Sequence, residues 1–308
     1  MKNLFGALAN SSRLRMVRIL LRGPLNVSEI SDILGLSQSN VSHNLRRLLD
    51  SGLVTRKGKG IWAYYRLNRE DPVVETLLTA VSQAAKQIEN YDSDMTRLRL
   101  CYDKRRREAR EFFDRVASEL DEVSYLMPDP GGYINSVIDV FRRGSTVLDA
   151  GCGAGDIVLR MLQAGLRVIG VDQSQEMLSQ AAKKIEAQWD SSNVELRLGS
   201  AEHLPVADSC VDGILAHMLI HHLSEPSEFF AEAARVCVSR GRCTVVELEP
   251  HEDFDLKRMQ GDLWPGLDRE EVLNWMRKAG FCEIEEIKAG DGRVYILSGI
   301  SRGRNGDG

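Results

Sequence analysis

The sequence STVLDAGCGAGD, residues 145–156, joins an apolar run to three closely spaced glycines. Residues 146–148 indicate a buried strand of a parallel sheet, which ends at Asp149. The glycines are Gly151, Gly153 and Gly155. Glycine allows a sharp turn and lets backbone N–H groups approach a ligand, and residues 157–164 then continue as a helix. The stretch therefore predicts a strand, a glycine loop and a helix that together cradle a ligand.

A second strand is predicted in LRVIGVD, residues 166–172, and it ends in another carboxylate. Asp172 lies seventeen residues beyond Gly155. An acidic residue at the end of the second strand is placed to bind both hydroxyls of a ribose. The pair of strands therefore predicts a nucleoside site at one edge of the sheet.

These residues resemble the class I, Rossmann-like S-adenosylmethionine-dependent methyltransferases, whose first motif is acidic-x-Gly-x-Gly-x-Gly, here Asp149 to Gly155. The resemblance covers about residues 129–300 and extends to VDQSQEML, to GSAEHLPVADSCVDGILAHMLIHHL and to RCTVVEL. It implies the α/β fold class, with a C-terminal Rossmann-like class I methyltransferase fold and a mostly parallel seven-stranded sheet. It also implies S-adenosylhomocysteine or S-adenosylmethionine as the ligand.

The resemblance implies a set of ligand-binding residues: Asp149, Gly151, Cys152, Gly153, Gly155, Asp172, Gln173, Met177, Ser200, Ala201, Glu202 and His217. Gln173 and Met177 would flank the adenine. Many relatives have Gly-Asp-Ala after the third strand, whereas this chain has Ser200 at the aspartate position. A serine accepts a hydrogen bond more weakly than a carboxylate, and Glu202 is a nearby substitute.

Three histidines, His217, His221 and His222, follow the fourth predicted strand. His217 and His221 have the spacing of two metal ligands on a helix, but no acid or cysteine with matching spacing accompanies them. We therefore expect no metal, and we place His217 at the sulfur end of the ligand. No catalytic residue is predicted, although methyl transfer can rely on proximity without a general base.

The first seventy residues predict three helices followed by a β-hairpin. Apolar residues at helical spacing define each helix, and the helices end near Gly23, Gly35 and Gly52. Ser37 is a suitable N-cap for the third helix. The hairpin places LVTRK and IWAYYRL on either side of residues 58–60. This order predicts an N-terminal winged helix-turn-helix.

The segments VSEISDILGLSQSNVSHNLRRLLDSGLV and GIWAYYRL resemble the ArsR-type bacterial repressors over about residues 4–68. The third helix presents short polar groups where a major groove would meet it, and its arginines would reach phosphates. The predicted DNA contacts are Ser37, Gln38, Ser39, Asn40, Ser42, His43, Arg46, Arg47, Lys57 and Lys59. Arg46 and Arg47 would also suit a merely solvated helix face, whereas Trp62 and Tyr64 suit wing or dimer packing.

The charge distribution agrees with a polyanion partner for the first part of the chain only. Residues 1–70 contain 12 lysines and arginines against 4 acids, a net charge of +8, whereas the whole chain carries −5. One histidine and no cysteine occur there, which argues against direct metal sensing. The six cysteines of the chain are scattered and indicate free thiols in a reducing compartment. No stretch approaches 18 consecutive apolar residues and the N-terminus lacks a basic-then-apolar signal pattern, so we expect a cytoplasmic protein without a membrane partner.

The predicted organisation is a DNA-binding and dimerisation domain (1–90), a helical linker (91–127) and an S-adenosyl-ligand domain (128–308). Residues 72–90 are expected to continue as one helix that packs against a second copy in a homodimer. The basic run over residues 97–110 fits either an extra DNA contact or a solvated linker helix.

Two functions fit this sequence. The first is a repressor that binds an inverted-repeat operator in double-stranded DNA and senses S-adenosylhomocysteine. This function is implied by the resemblance of the chain to ArsR-type regulators that are fused to such a domain and control methionine and S-adenosylmethionine cycle genes. The second is an active methyltransferase for a small molecule or metalloid that carries a DNA-binding module. We favour the sensor, because the adenine carboxylate is replaced and no acceptor site is evident.

Overall fold

The computed structural model describes residues 4–57, 63–69, 71–116, 130–223, 225–249, 267–288 and 292–303. The chain divides into two compact units, Met1–Arg105 and Arg106–Gly308. We describe each unit separately.

The N-terminal unit is a winged helix-turn-helix. Its helices are α1 (Leu4–Leu8), α2 (Ser11–Leu20), α3 (Val27–Leu34), α4 (Gln38–Ser51), α5 (Pro72–Gln83) and the first part of α6 (Tyr91–Val116). Its strands are β1 (Leu25–Asn26), β2 (Val54–Lys57) and β3 (Tyr64–Leu67), in the antiparallel order β1-β3-β2. The hairpin of β2 and β3 was predicted, whereas β1 is too short to show an alternating pattern.

Local side chains fix the ends of the two central helices. Asn26 and Glu29 form a reciprocal capping box at the start of α3. Gly35 ends α3 with φ +65° and Gly52 ends α4 with φ +76°, both in the left-handed region that favours glycine. Ser37 caps α4 through the N–H of its third residue. These four signals confirm the predicted helix boundaries.

The expectation of one helix over residues 72–90 is wrong. Helix α5 ends at Gln83, residues Ala85–Gln87 form a 3₁₀ turn, and Asn90 takes a left-handed conformation with φ +58°. Asparagine tolerates this conformation better than most residues, and such a residue interrupts a right-handed helix. A second helix, α6, therefore starts at Tyr91.

A buried ion cluster joins α6 to α2 within the N-terminal unit. Asp94 is fully buried and accepts two hydrogen bonds from Arg15, both at 2.8 Å. Arg18 donates to the same carboxylate, and Arg15 also donates to the carbonyl oxygen of Leu34 at 2.9 Å. Because each buried charge is paired, removing one partner would leave the others uncompensated.

The basic run over residues 97–110 lies within α6 and is not uniformly solvated. Arg105 is 5% exposed and makes a bidentate ion pair with Glu29, at 2.8 and 2.6 Å. Its guanidinium also lies 5.7 Å from the ring centre of Tyr64. Arg105 therefore holds α6 within its own unit and is not a surface cation.

The C-terminal unit contains a seven-stranded sheet. Its strands are β4 (Thr146–Ala150), β5 (Arg167–Asp172), β6 (Val194–Leu198), β7 (Val211–His217), β8 (Cys237–Leu248), β9 (Phe281–Ile287) and β10 (Val294–Ser301). Their order is β6-β5-β4-β7-β8-β10-β9. The first five pair in parallel, and β10 pairs antiparallel with both β8 and β9. This is the predicted mostly parallel sheet, and the order reverses next to β4, where ligands bind in such folds.

The helices of this unit are the last part of α6, α7 (Ile134–Ile138), α8 (Asp156–Gln163), α9 (Gln175–Gln188), α10 (Pro226–Val236) and α11 (Arg269–Lys278). Helix α9 begins after β5, where the buried Ser174 caps it through the N–H of Met177 at 3.1 Å. Apolar residues of β4 and α8, including Val147 and Val158, are fully buried in the core. The core thus fixes the carboxyl ends of β4 and β5.

Some sequence predictions fall outside the described residues. These are Lys59 and Trp62 in the wing, and linker residues 117–129. No helix in the described part of the chain is long and apolar enough to cross a membrane.

Candidate functional site

The glycine loop after β4 adopts the predicted left-handed turns. Gly151, Gly153 and Gly155 have φ of +71°, +50° and +86°. A Cβ at Gly151 would lie 2.7 Å from Cδ1 of Leu219, and one at Gly155 would lie 3.0 Å from Cβ of Ala181. Side chains at these two positions would therefore clash as well as strain the backbone.

Asp172 at the end of β5 holds this loop in place. Its Oδ2 accepts a hydrogen bond from the backbone N–H of Gly153, and its Oδ1 accepts one from Ser174, both at 2.9 Å. Burial raises the pKa of Asp172, and these backbone hydrogen bonds oppose the rise. The carboxylate is therefore fixed at the mouth of the loop.

Asp149 lies beneath the loop and is 1% exposed. Within the described residues, its Oδ2 has no hydrogen-bond partner. Burial, and secondarily the charge of Asp172, raise the pKa of Asp149 to about 8. A buried carboxyl oxygen without a partner is a feature that a bound polar group would satisfy.

A cleft opens at this edge of the sheet and encloses about 740 Å³ of empty space, part of it open to solvent. Eight of the predicted ligand residues line it: Gly151, Gly153, Asp172, Gln173, Met177, Ser200, Ala201 and Glu202. Others that line it were not predicted: Arg106, Val171, Gly199, Met218, Leu219, His222 and Leu223.

Four predicted ligand residues are not part of this wall. Asp149 and Cys152 are buried behind it, and Gly155 packs against α9. His217 donates to or accepts from the hydroxyl of Tyr133, with Nε2 3.0 Å from the oxygen. His217 is not among the residues that line the cleft, and its placement at the sulfur of the ligand stays a prediction.

The carboxylate of Glu202 is 2% exposed on one side of the cleft. Its Oε1 accepts from the backbone N–H of Glu225 at 3.0 Å. Its Oε2 accepts from Arg106 at 3.1 Å and from the hydroxyl of Ser200 at 3.4 Å. Sequence reasoning missed Arg106, because an arginine in a basic run gives no sign that it reaches a pocket.

Of the three histidines near β7, His221 lies in the protein interior, whereas His217 and His222 are half-buried. Desolvation lowers the pKa of His217 to about 4. The charge of Glu247 raises this pKa and that of His221 lowers it further, and the ring is neutral at pH 7. His221 is fully buried, and its Nδ1 lies 2.6 Å from Oε2 of Glu247. His222 lines the cleft. His217 thus brings no positive charge to the cleft at neutral pH.

All predicted DNA-contacting residues in and next to α4 are exposed: Ser37, Gln38, Ser39, Asn40, Ser42, His43, Arg46 and Arg47. The opposite face, with Val41, Leu45 and Leu48, is fully buried. His43 and Arg47 are one turn apart, and Nε of Arg47 lies 3.1 Å from Nε2 of His43. Lys57 ends β2, while Lys59 lies outside the described residues.

The cysteines are all free thiols. Burial raises the pKa of Cys101 to about 11 and that of Cys237 to about 12, so both are protonated and unreactive at neutral pH. The described residues contain no cluster of histidine, cysteine and acidic side chains that could hold a metal.

Comparisons with known proteins match both halves. Residues 10–56 match the family of bacterial regulatory proteins of the arsR family, and residues 148–245 match a methyltransferase domain. The arsenical resistance operon repressor of Bacillus subtilis is 41% identical over 68 residues, which are 22% of this chain and 65% of the repressor. The arsenite methyltransferase of Halobacterium salinarum is 34% identical over 162 residues, 50% of this chain and 41% of that enzyme. The chain thus spans less than two thirds of either relative.

Solved structures share the fold of the C-terminal unit. An S-adenosylmethionine-dependent methyltransferase of Thermotoga maritima, described as a possible histamine N-methyltransferase, aligns with a TM-score of 0.51 and 20% identity over 62% of this chain and 99% of that chain. Phosphoethanolamine N-methyltransferase 2 of Haemonchus contortus, in complex with phosphomonomethylethanolamine and S-adenosylhomocysteine, aligns with a TM-score of 0.54 and 14% identity over 63% of this chain and 60% of that chain.

The chain therefore combines an arsR-family helix-turn-helix domain with a class I methyltransferase domain. The first domain implies DNA binding, and the fold of the second implies an S-adenosyl ligand. The described residues fit such a ligand, because the backbones of Gly151 and Gly153 and the carboxylate of Asp172 line the cleft.

Proposed function

We propose that the chain is a homodimeric transcriptional repressor whose methyltransferase domain senses S-adenosylhomocysteine and controls genes of the methionine and S-adenosylmethionine cycle. The observation that carries this proposal is the outer face of α4, where every predicted DNA contact is exposed while the inner face is fully buried. A methyltransferase that acts on a small molecule has no need of such a helix. In this proposal, binding of the ligand releases the protein from DNA.

Two copies of α4 would read the operator. One recognition helix contacts too few base pairs for useful specificity, so a dimer on an inverted repeat is the expected arrangement. Val73 supports a second copy at α5, because this large apolar side chain is 59% exposed there. Sedimentation equilibrium of the full chain measures this directly, and a monomer at micromolar concentration would contradict it.

The cleft residues would hold the nucleoside. Asp172 is placed to accept hydrogen bonds from two ribose hydroxyls, because its carboxylate is already oriented by Gly153 and Ser174. The N–H groups of the glycine loop would face the polar end of the ligand. S-adenosylmethionine, when bound, supplies a methyl group on a positively charged sulfur, whereas S-adenosylhomocysteine carries an uncharged thioether.

The composition of the cleft supports S-adenosylhomocysteine as the effector. Met218, Leu219 and Leu223 give it an apolar wall, and an apolar group beside a sulfonium leaves that charge without solvation. Met218 also has a left-handed backbone with φ +51°, which fixes this part of the wall. At neutral pH the protonated Asp149 would add no compensating negative charge.

An active methyltransferase with a DNA-binding module is the alternative. Its support is the similarity to an arsenite methyltransferase over half of this chain. The enzyme would need S-adenosylmethionine in the same cleft and room for an acceptor beside the sulfur. The two functions therefore differ in which S-adenosyl ligand binds more tightly and in whether a methyl group leaves it.

Calorimetric titration with each ligand separates these functions. We expect S-adenosylhomocysteine to bind at least tenfold more tightly than S-adenosylmethionine, and to bind more weakly when operator DNA is already bound. The operator DNA for this titration is a fragment that the ligand-free protein selects from a library of random double-stranded sequences. Tighter binding of S-adenosylmethionine, together with steady methyl transfer to arsenite, would support the enzyme instead.

A further inference from the structure

A buried amide, that of Asn44, lies behind the exposed face of α4. Asn44 is 8% exposed and follows the exposed Asn40 by one helical turn. Its Oδ1 accepts a hydrogen bond from Nη1 of Arg13 on α2 at 3.3 Å. Its Nδ2 donates to the backbone carbonyl of Asn40 at 3.0 Å and to the side-chain Oδ1 of Asn40 at 2.6 Å. Asn44 therefore connects α2 to the side chain of Asn40.

The guanidinium of Arg13 is itself held by α1. Its Nη2 donates to the carbonyl oxygen of Gly6 at 3.1 Å, and its Nε donates to that of Ala7. A guanidinium is planar and carries its donors in a fixed fork. The two bonds to α1 therefore fix the position at which Nη1 meets Asn44.

These partners leave one orientation for each amide. An arginine has only donors, so the atom of Asn44 that faces Arg13 is the oxygen, and the nitrogen faces Asn40. The backbone carbonyl of Asn40 can only accept, which agrees with this placement. Because the nitrogen of Asn44 donates, the atom of Asn40 that it meets is Oδ1. Nδ2 of Asn40 is therefore on the branch of its planar amide that points away from Asn44.

An outward Nδ2 gives Asn40 one kind of contact with DNA. Asn40 is the third residue of α4, and the N-terminal residues of such a helix contact base edges in the major groove. Guanine presents the acceptors O6 and N7 there and thymine presents O4, whereas cytosine presents the N4 donor. Adenine presents one acceptor and one donor, so it does not separate the two orientations of an amide. A donor that meets the cytosine donor leaves both groups without a partner, which is costly at a buried contact.

We propose that Asn44 is a positioning residue that makes Asn40 a hydrogen-bond donor toward DNA, so that Asn40 selects guanine and rejects cytosine at one position in each half of the operator. This inference rests on the DNA-binding part of the function proposed above. Guanine is favoured because it offers two acceptors. An asparagine without such bonds could turn either its oxygen or its nitrogen to the DNA, and the bonds of Asn44 remove that choice.

Operator selection locates the base that Asn40 contacts. The ligand-free wild-type protein and Asn40→Ala each select fragments from a library of random double-stranded sequences. The position whose preference disappears in Asn40→Ala is the one that Asn40 contacts. Guanine or thymine at that position in the wild-type selection supports the inference, and cytosine or adenine overturns it. Fluorescence anisotropy should show about tenfold weaker binding when cytosine replaces guanine in both halves of the operator.

Asn44→Asp tests the positioning. An aspartate keeps Arg13 as a partner and can only accept, so Asn40 has to turn its Nδ2 toward it and its oxygen toward the DNA. We expect the preference to invert, with cytosine bound more tightly than guanine. Asn44→Ala frees the Asn40 amide, and the ratio of the two affinities should fall to about one. The ratio is unaffected by a uniform loss of DNA affinity, such as an added negative charge causes.

Ser51→Ala is the matched control. Ser51 is also a buried polar residue of α4 and donates to the carbonyl oxygen of Leu48 at 2.9 Å, but it lies at the other end of the helix. The wild-type ratio should persist in this variant. Circular dichroism identifies any variant that has lost its fold. If Asn44→Asp unfolds, Asn40→Asp at its exposed position carries the comparison, because it presents only oxygen and should also invert the preference.

The outcomes separate this inference from the proposed function. A wild-type protein that selects no sequence would overturn DNA recognition and the role of Asn40 together. Selected operators in which Asn40→Ala changes no position would overturn the role of Asn40 alone. A guanine preference that persists in Asn44→Asp and Asn44→Ala would overturn the role of Asn44. Inversion in Asn44→Asp, with the wild-type ratio retained in Ser51→Ala, supports the inference.

Discussion

Asp172 accepts a hydrogen bond from the backbone N–H of Gly153 at 2.9 Å, which joins the carboxylate at the end of β5 to the glycine loop after β4. The same side chain accepts from Ser174 at the start of α9. Asp172 therefore sets the shape of the cleft before any ligand enters it. A ribose would add its hydroxyls to an acceptor that is already oriented, which lowers the entropic cost of binding.

Asp172→Ala should abolish binding of S-adenosylhomocysteine and leave operator affinity unchanged in the absence of ligand. The substitution removes both the ribose acceptor and the bond that orients Gly153, while α4 is untouched. Calorimetry measures the first effect and fluorescence anisotropy the second. Asp190→Ala is the matched control. Like Asp172, which accepts from Ser174, the exposed Asp190 accepts a hydrogen bond from the backbone N–H two residues later, that of Ser192, at 3.0 Å. Wild-type ligand affinity in Asp172→Ala would place the pocket elsewhere.

Asp149→Asn should change the pH dependence of stability. The pKa of Asp149 is raised to about 8 in the folded protein, so the folded carboxyl keeps a proton that the unfolded carboxyl loses above about pH 4. This group therefore costs the wild-type protein stability as the pH rises from about 4 to 8. An asparagine has no such cost, and we expect the variant to gain about 5 kcal/mol in free energy of unfolding relative to wild type at pH 8.

Urea unfolding at several pH values checks this expectation. The difference in free energy of unfolding between Asp149→Asn and wild type should increase steadily between pH 4 and pH 8. A difference that stays constant across this range would mean that Asp149 titrates normally in the folded protein.

Arg46→Ala and Arg47→Ala should each weaken operator binding and lower the dependence of affinity on salt. Each arginine that neutralises a phosphate contributes about one unit to the slope of log affinity against log salt concentration. Arg240→Ala is the control, because it removes the same charge from an exposed position of β8 in the C-terminal unit. Unchanged affinity and slope in both test variants would remove this helix face from the DNA interface.

Asp94→Ala should destabilise the N-terminal unit by about 3 to 5 kcal/mol, because Arg15 and Arg18 would be left buried without their carboxylate. Urea unfolding followed by circular dichroism measures the loss. Asp92→Ala is the control on the same helix, since Asp92 is exposed. A loss below 1 kcal/mol in Asp94→Ala would mean that the cluster contributes little beyond packing.

Sequence patterns predicted most of the fold because its signals are local. The glycine loop, the end of β5 and the caps at Ser37 and Gly52 each depend on a few adjacent residues. The end of α5 was missed because no glycine or proline separates it from α6, and the break depends on Asn90 taking a left-handed conformation.

The cleft was predicted only on the side that its motifs describe. Gly151 and Gly153 of the glycine loop and the residues after β5 line it as expected, whereas Arg106 comes from a basic run distant in sequence. The hydrogen bond between His217 and Tyr133 was also not predicted, because these two residues are far apart in sequence. Contacts between residues far apart in sequence require the packed structure.

Titration of each S-adenosyl ligand into a fluorescently labelled operator complex tests the sensor function most directly. Parallel samples with radiolabelled S-adenosylmethionine and candidate acceptors, including arsenite, record any methyl transfer. The proposed function predicts release of DNA by S-adenosylhomocysteine, at least tenfold weaker action of S-adenosylmethionine and no transfer at enzymatic rates. Release by S-adenosylmethionine alone, or methyl transfer to an acceptor over many turnovers, would contradict it.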